Sequence, residues 1–130
     1  MSTDPISDLI IKLKNAGNAG RNTVVIGYSQ IKESILEVLK KEGFVKSFRK
    51  LSVKGKPSLE ISLILDNRIP KIKDVKRVSK PSKRVYMKSS EIRLVKQGYG
   101  ALVLSTPAGV LSGREARKQK VGGEALFQIW

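Results

Sequence analysis

The 130 residues include no cysteine and no histidine, which excludes disulfides, thiolate chemistry, Cys/His zinc sites and histidine general bases. Twenty-six Lys and Arg stand against eleven Asp and Glu, a net charge of +15, and such an excess favours a polyanionic partner through counterion release. The apolar fraction is 40 %, no run approaches the roughly 18 apolar residues of a membrane helix, and MSTDPISDL lacks the basic and apolar stretches of a secretory signal.

The first predicted element is a helix. Asp4 is placed to cap it, Pro5 sits where a first-turn proline is tolerated, and Ile6, Leu9, Ile10 and Leu13 share a face. Gly17 and Gly20 are expected to stop it. Thr23 to Ile26 reads as a short strand. Ser29 then caps a second helix with Ile31, Ile35, Val38 and Leu39 inward, ended by Gly43. Phe44 to Leu51 and Ser58 to Leu65 read as strands; in the second, Leu59, Ile61, Leu63 and Leu65 alternate with Glu60 and Ser62. The link Val53 to Pro57 between them is a basic hairpin tip.

Asp66 to Asp74, with Pro70, reads as an irregular boundary. Beyond it the elements shorten: strands at Val75 to Ser79 and Arg84 to Lys88, a turn or short helix from Ser90 to Gln97 stopped by Gly98, and a strand from Ala101 to Ser105. Ser112-Gly113-Arg114-Glu115 fits the capping box, so a helix opens at or just before Arg114. Glu124 to Trp130 closes the chain as a strand with Ala125, Phe127 and Ile129 on one side. The expected class is α+β in two lobes, an N-terminal α-β-α-β-β lobe over residues 1–66 and a C-terminal β-rich lobe with one short helix over 67–130. A chain this long buries roughly two-thirds of its unfolded surface and can fold without staples.

The charge is uneven. Residues 1–70 hold twelve bases and seven acids; residues 71–130 hold fourteen bases and four acids. A need for solubility alone does not explain that asymmetry, and nucleic acid is the expected partner. An anionic membrane surface is the rival, but no helix carries the large basic face it needs. No carboxylate pair is marked by a motif and no Walker-type or G-x-G-x-x-G loop occurs. No enzymatic activity, catalytic residue, cofactor or metal is expected.

Three segments carry candidate chemistry. Ser105 and Thr106 stand at a strand end before Pro107 and Gly109, and short hydroxyl side chains beside small residues let a backbone come close to a ribose or base edge. The same residues also make ordinary turns. Val121-Gly122-Gly123-Glu124 is the second segment. Its glycines either seat an RNA strand or let the last strand turn back, and the turn is the preferred reading. Glu124 either accepts from a base amino group or holds Arg114 or Arg117 by an ion pair, the latter being preferred. The third runs from Arg77 to Lys88. Arg84, Tyr86 and Lys88 share one strand face as a phosphate-and-base surface, with Val85 and Met87 on the other.

These segments resemble the small-subunit ribosomal protein eight (uS8) family, whose members end in a Ser-Thr-Ser-x-Gly loop, an Arg-Glu-Ala-Arg-type helix and Val-Gly-Gly-Glu. The matching residues are Ser105-Thr106-Pro107-Ala108-Gly109, Arg114-Glu115-Ala116-Arg117 and Val121-Gly122-Gly123-Glu124. Arg77-Val78-Ser79-Lys80-Pro81 with Arg84 and Tyr86 is similar to the family's Arg-Val-Ser-Lys-Pro-Gly…Arg-x-Tyr, though Ser82 and Lys83 replace the usual glycine and apolar residue. Pro107 stands where the family most often has a second serine, so this loop has one hydroxyl and one N–H fewer. The resemblance implies a structural protein of the small ribosomal subunit, a primary binder of 16S-type ribosomal RNA at an irregular central-domain stem that helps assemble the platform. It implies RNA contacts at Ser105, Thr106, Pro107, Gly109, Arg84, Tyr86, Lys88, Gly122, Gly123, Glu124, Arg114 and Arg117. Secondary contacts are expected at Asp4, Pro5, Lys12, Lys14, Asn15, Lys32, Lys54 and Lys56. It further implies small-subunit proteins five and twelve as neighbours, a cytoplasmic or organellar ribosome, a monomer outside it, and possible repression of the protein's own operon through a messenger mimic. The competing expectation is a non-ribosomal basic DNA- or RNA-binding module.

Overall fold

The computed structural model describes residues 4–130. Helix α1 (Pro5–Asn18) opens on Asp4, whose carboxylate accepts from the Ser7 N–H at 3.2 Å, with Pro5 in the first turn. Leu9, Ile10, Leu13 and Ala16 are its buried stripe. Gly17 does not stop the helix as expected. It lies inside it, where a Cβ would sit 3.0 Å from Pro70 Cβ, so the glycine permits a close crossing, and the helix ends one residue later at Asn18. Strand β1 (Thr23–Gly27) follows, then α2 (Gln30–Lys41), capped by the Ser29 hydroxyl on the Lys32 N–H and closed by Gly43 at φ +85°.

Strands β2 (Val45–Val53) and β3 (Lys56–Leu63) run further into the hairpin tip than the sequence suggests. Only Lys54 and Gly55 remain outside the strands, both at positive φ, the left-handed pair that a two-residue hairpin turn requires. These strands form an antiparallel sheet in the order β1-β3-β2. The segment expected to be irregular, Asp66 to Asp74, instead begins with a small hairpin of β4 (Leu65–Asp66) and β5 (Ile69–Pro70), turned by Asn67 and Arg68 at positive φ. Ile72 in the same segment is a buried core residue.

The C-terminal part contains β6 (Val75–Arg77), β7 (Tyr86–Met87), β8 (Ala101–Thr106), β9 (Gly109–Ser112), α3 (Gly113–Gln119) and β10 (Gly123–Ile129). The β6 and β7 strands are shorter than expected, and Ser89–Glu91 and Lys96–Gly98 are two separate 3-10 turns. The sequence reading missed β9 altogether, because four residues inside a Gly- and Ser-rich stretch show no clear period-2 pattern. The sheet runs β6-β10-β8-β9, with β7 also on β10.

Flanked on both sides, as β8 also is, β10 is buried on both faces. Ala125, Leu126, Phe127 and Ile129 are all buried, with a register shift between Ala125 and Phe127. That irregularity turns Leu126 inward as well, which a simple alternation does not anticipate. One buried cluster joins Leu9 and Leu13 of α1, Ile35 and Leu39 of α2 and Ile61 of β3 to Val103 and Phe127 of the C-terminal sheet. A smaller cluster on the opposite sheet face joins Leu102, Leu104 and Ala125 to Ala116 of α3 and to Ile92 and Val95.

Candidate nucleic-acid interface

Strand pairing sets the geometry. Glu124 pairs with Tyr86 on β7 and with Ser105 on β8, and directly opposed residues of antiparallel strands put their side chains on one face. Tyr86, Glu124 and Ser105 therefore form a row across three strands. Tyr86 is 70 % exposed, Ser105 is half-buried, and Arg84 and Lys88 are exposed while Val85 and Met87 are partly covered. Sequence residues nearly forty apart thus meet on one surface, bounded by the tight turn that follows β8.

Glu124 is held by neither Arg114 nor Arg117, contrary to the preferred sequence reading. Its Oε2 accepts from the Ser79 hydroxyl at 2.5 Å and from Arg84 Nη1 at 3.0 Å. Burial alone would raise this carboxyl, but the hydrogen bonds from Ser79 and Arg84, with the charges of Arg84 and Arg77, outweigh burial and hold it below the usual range. Arg84 is correspondingly shifted up by its bond to Glu124. The reason Arg114 and Arg117 are elsewhere is topological. Helix α3 packs through Ala116 on the face carrying Leu104 and Ala125, whereas Glu124 and Ser105 belong to the other. Arg114 reaches Glu42 at the end of α2, at 3.2 Å, with its side chain 76 % exposed, and Arg117 is exposed.

Gly122 and Gly123 owe their identity to the protein's own strands. A Cβ on Gly123 would lie 2.1 Å from the Ser105 carbonyl oxygen, and one on Gly122 would lie 2.4 Å from that of Met87. Neither has positive φ. Gly109 is the opposite case: a Cβ there would meet open space, but φ is +110°, the conformation that completes a turn led by Pro107. Thr106 builds the same turn. Its hydroxyl donates to the Gly109 carbonyl at 2.7 Å and accepts from the Ala108 N–H at 3.1 Å. Thr106 thus shapes the loop, while the Ser105 hydroxyl makes no hydrogen bond among the described residues. Pro107 is exposed at the tip.

The N-terminus of α1 joins this region through Arg77. The guanidinium spans both Asp4 oxygens, at 3.0 and 3.3 Å, and also donates from Nη1 to the Leu126 carbonyl. Burial opposes ionisation of Asp4, but bonds from Arg77 and Ser7 prevail and keep its carboxyl below the ordinary value. Asp4 is thus a clamp between α1 and the C-terminal sheet. Further along α1, Lys14 pairs with Asp74 at 2.9 Å, while Pro5, Lys12 and Asn15 are exposed. Lys32 donates to the Gly27 carbonyl at 3.3 Å. Gly27 pairs with Ser58, close to Lys56 and the Lys54 turn, so these three lysines gather at one end of the three-stranded sheet.

Sequence reasoning passed over two residues of the site, Arg77 and Ser79. Both lie in the Arg-Val-Ser-Lys-Pro stretch; Arg77 ends β6 and Ser79 follows it, outside any strand. Ser79 is fully buried and also accepts from the Val85 N–H at 3.1 Å.

Residues 4–130 match the family described as Ribosomal protein S8. Among similar proteins, the small ribosomal subunit protein uS8 of Persephonella marina is 44 % identical and that of Thermus aquaticus 41 %, each over 100 % of both chains. That of Mycoplasmopsis agalactiae is 43 % identical over 98 % of each. With a family match over residues 4–130 and similarity at this level over the full length, the chain belongs to the ribosomal protein S8 family.

Proposed function

We propose that the chain is a primary ribosomal RNA binder that reads an irregular stem through the row of Tyr86, Glu124 and Ser105. Its family makes it a structural, non-enzymatic protein of the small ribosomal subunit; the finer reading concerns how it grips RNA. The observation that carries it is the row itself: an exposed aromatic ring, a fixed carboxylate and a free hydroxyl side by side, flanked by Arg84 and Lys88. A ring stacks on an unpaired base, and hydroxyl and carboxylate meet 2′-OH groups or base edges, which RNA offers in loops and in its shallow minor groove. The cations supply affinity without sequence information.

In this reading Thr106, Pro107 and Gly109 present the turn backbone to the RNA, and Gly122 and Gly123 bring β7, β10 and β8 close enough to form one surface. Asp4 acts by anchoring α1, whose Pro5, Lys12 and Asn15 continue the surface, and Lys14 contributes positive charge beside its partner Asp74. Lys32, Lys54 and Lys56 contact phosphates of a neighbouring helix. Arg114 and Arg117, on the other face, contact a separate RNA segment or a neighbouring protein. The target is the central-domain stem of small-subunit RNA, and a messenger that mimics this stem would compete for the same surface.

An alanine panel tests the reading. Tyr86→Ala, Ser105→Ala and Glu124→Ala should each weaken binding of a looped ribosomal stem by about 1–3 kcal/mol, from lost stacking or an unpaired polar partner. Arg114→Ala and Arg117→Ala should leave that affinity within about twofold of wild type. The reverse ranking would place the stem on the α3 face and overturn the proposal.

A further inference from the structure

We propose that Ser79 is the positioning residue of Glu124, and that together they give the surface an acceptor for a hydrogen-bond donor on the RNA, an exocyclic amino group or a 2′-hydroxyl. This rests on the proposed function for the presence of RNA at the row. A carboxylate facing a polyanion is repelled by every phosphate, which carries no donor, so an ionised Glu124 is compatible with RNA only where a donor meets it. One of its oxygens is already filled: Oε2 takes both Ser79 and Arg84. Oε1 has no hydrogen bond among the described residues, and the side chain retains 15 % exposure. Glu124 is paired across the strands with the exposed Tyr86 on one side and with Ser105 on the other, and the Ser105 hydroxyl makes no hydrogen bond among the described residues.

Ser79 is suited to fixing that choice. It is wholly buried, and its oxygen accepts the Val85 N–H, which leaves its one O–H for Glu124. Val85 in turn accepts from the Ala125 N–H at 2.8 Å, so the residue that donates to this hydroxyl is itself tied to the neighbour of Glu124 on β10. Arg84 alone, with a half-exposed side chain, would hold Glu124 less rigidly. The result selects by exclusion as well as attraction: phosphate is turned away and a sugar or base edge is admitted.

The test is a double-substitution cycle on the full chain with the looped ribosomal stem. Ser79→Ala and Glu124→Ala should each weaken binding roughly tenfold, the size of one charge-assisted hydrogen bond, and the double variant should be no weaker than Glu124→Ala alone. Lowering the pH from 7.5 to 5 should leave wild-type affinity nearly unchanged. Ser79→Ala should be the more pH-sensitive of the two, because it loses one of the bonds that hold the Glu124 carboxyl below its usual range. If Ser79→Ala costs the same factor whether or not Glu124 is present, Ser79 acts through the fold and the inference is overturned. If Glu124→Ala binds like wild type, both this inference and the assignment of Glu124 to the interface fall. Should Ser79→Ala not fold, the nearly isosteric Ser79→Cys, a weak donor, carries the same cycle. Single 2′-deoxy nucleotides and bases lacking an amino group, placed along the loop, distinguish the two donors. The modification that weakens wild type but not Glu124→Ala marks the donor, and the absence of any such position contradicts the proposal.

Discussion

Replacing Arg77 by methionine keeps an apolar stem of similar length and deletes the guanidinium that joins α1 to the C-terminal sheet. Three hydrogen bonds are lost, two to Asp4 and one to the Leu126 carbonyl. With Arg77 only 10 % and Asp4 18 % exposed, solvent replaces them poorly. A bond to a charged group contributes about 1.5–3 kcal/mol, but the two on one carboxylate are not independent and Asp4 keeps Ser7. A loss of about 2–4 kcal/mol follows, a large share of the ~5–15 kcal/mol by which a domain is stable. Urea unfolding at pH 7 measures it as a lower midpoint with an unchanged slope. The sign of the pH dependence is fixed by Asp4, whose folded carboxyl lies below its unfolded value. Its contribution is complete above the unfolded pKa of about 3.9 and disappears as pH falls through the lower folded value. The gap between wild type and Arg77→Met should therefore narrow between pH 5 and pH 2. A gap under about 0.5 kcal/mol at pH 7, the size of a surface pair, or one that stays constant across that range, would refute the clamp.

Other substitutions separate fold from binding. Gly123→Ala forces a Cβ to within 2.1 Å of the Ser105 carbonyl, and should cost about 1–3 kcal/mol by overpacking; unchanged urea unfolding would show that the β8–β10 spacing relaxes freely. Thr106→Val removes the hydroxyl that closes the Pro107 turn and should lower stability by about 1 kcal/mol, with Thr106→Ser restoring it; equal stability of all three proteins would show the turn closes without it. Lys88→Ala should weaken looped RNA, paired RNA and duplex DNA alike and reduce the salt slope by about 1, and a loss confined to the looped stem would make Lys88 a base reader instead.

Much of the fold was legible because periodicity and caps are local. Leu9, Ile10 and Leu13 mark α1, Ser29 marks the start of α2, and the Ser112–Glu115 box marks α3. The short C-terminal strands were harder: β7 and β9 are stabilised by pairing to β10 and β8, and pairing is non-local. Gly17 shows the same limit, since its role is set by Pro70 of a strand more than fifty residues away. At the interface, the sequence supplied Ser105, Tyr86 and Glu124 as separate candidates. It could not supply the register that aligns them, nor replace Arg114 and Arg117 with Arg84 as the partner of Glu124. Which face α3 covers decides that, and the face follows from packing of Ala116 against Leu104 and Ala125. Ser79 was hidden for a related reason: a buried serine declares itself only through its partners.

The most direct test of RNA reading by this surface is the affinity of the wild-type chain for a looped ribosomal stem, its perfectly paired counterpart and duplex DNA across a salt series. With about six phosphates contacted, log K should fall with log salt at roughly −4 to −5, while the looped stem stays at least about tenfold tighter at every salt concentration. Equal affinity for all three ligands would mean that the net charge of +15 does the binding alone, and that the Tyr86, Glu124 and Ser105 row reads nothing.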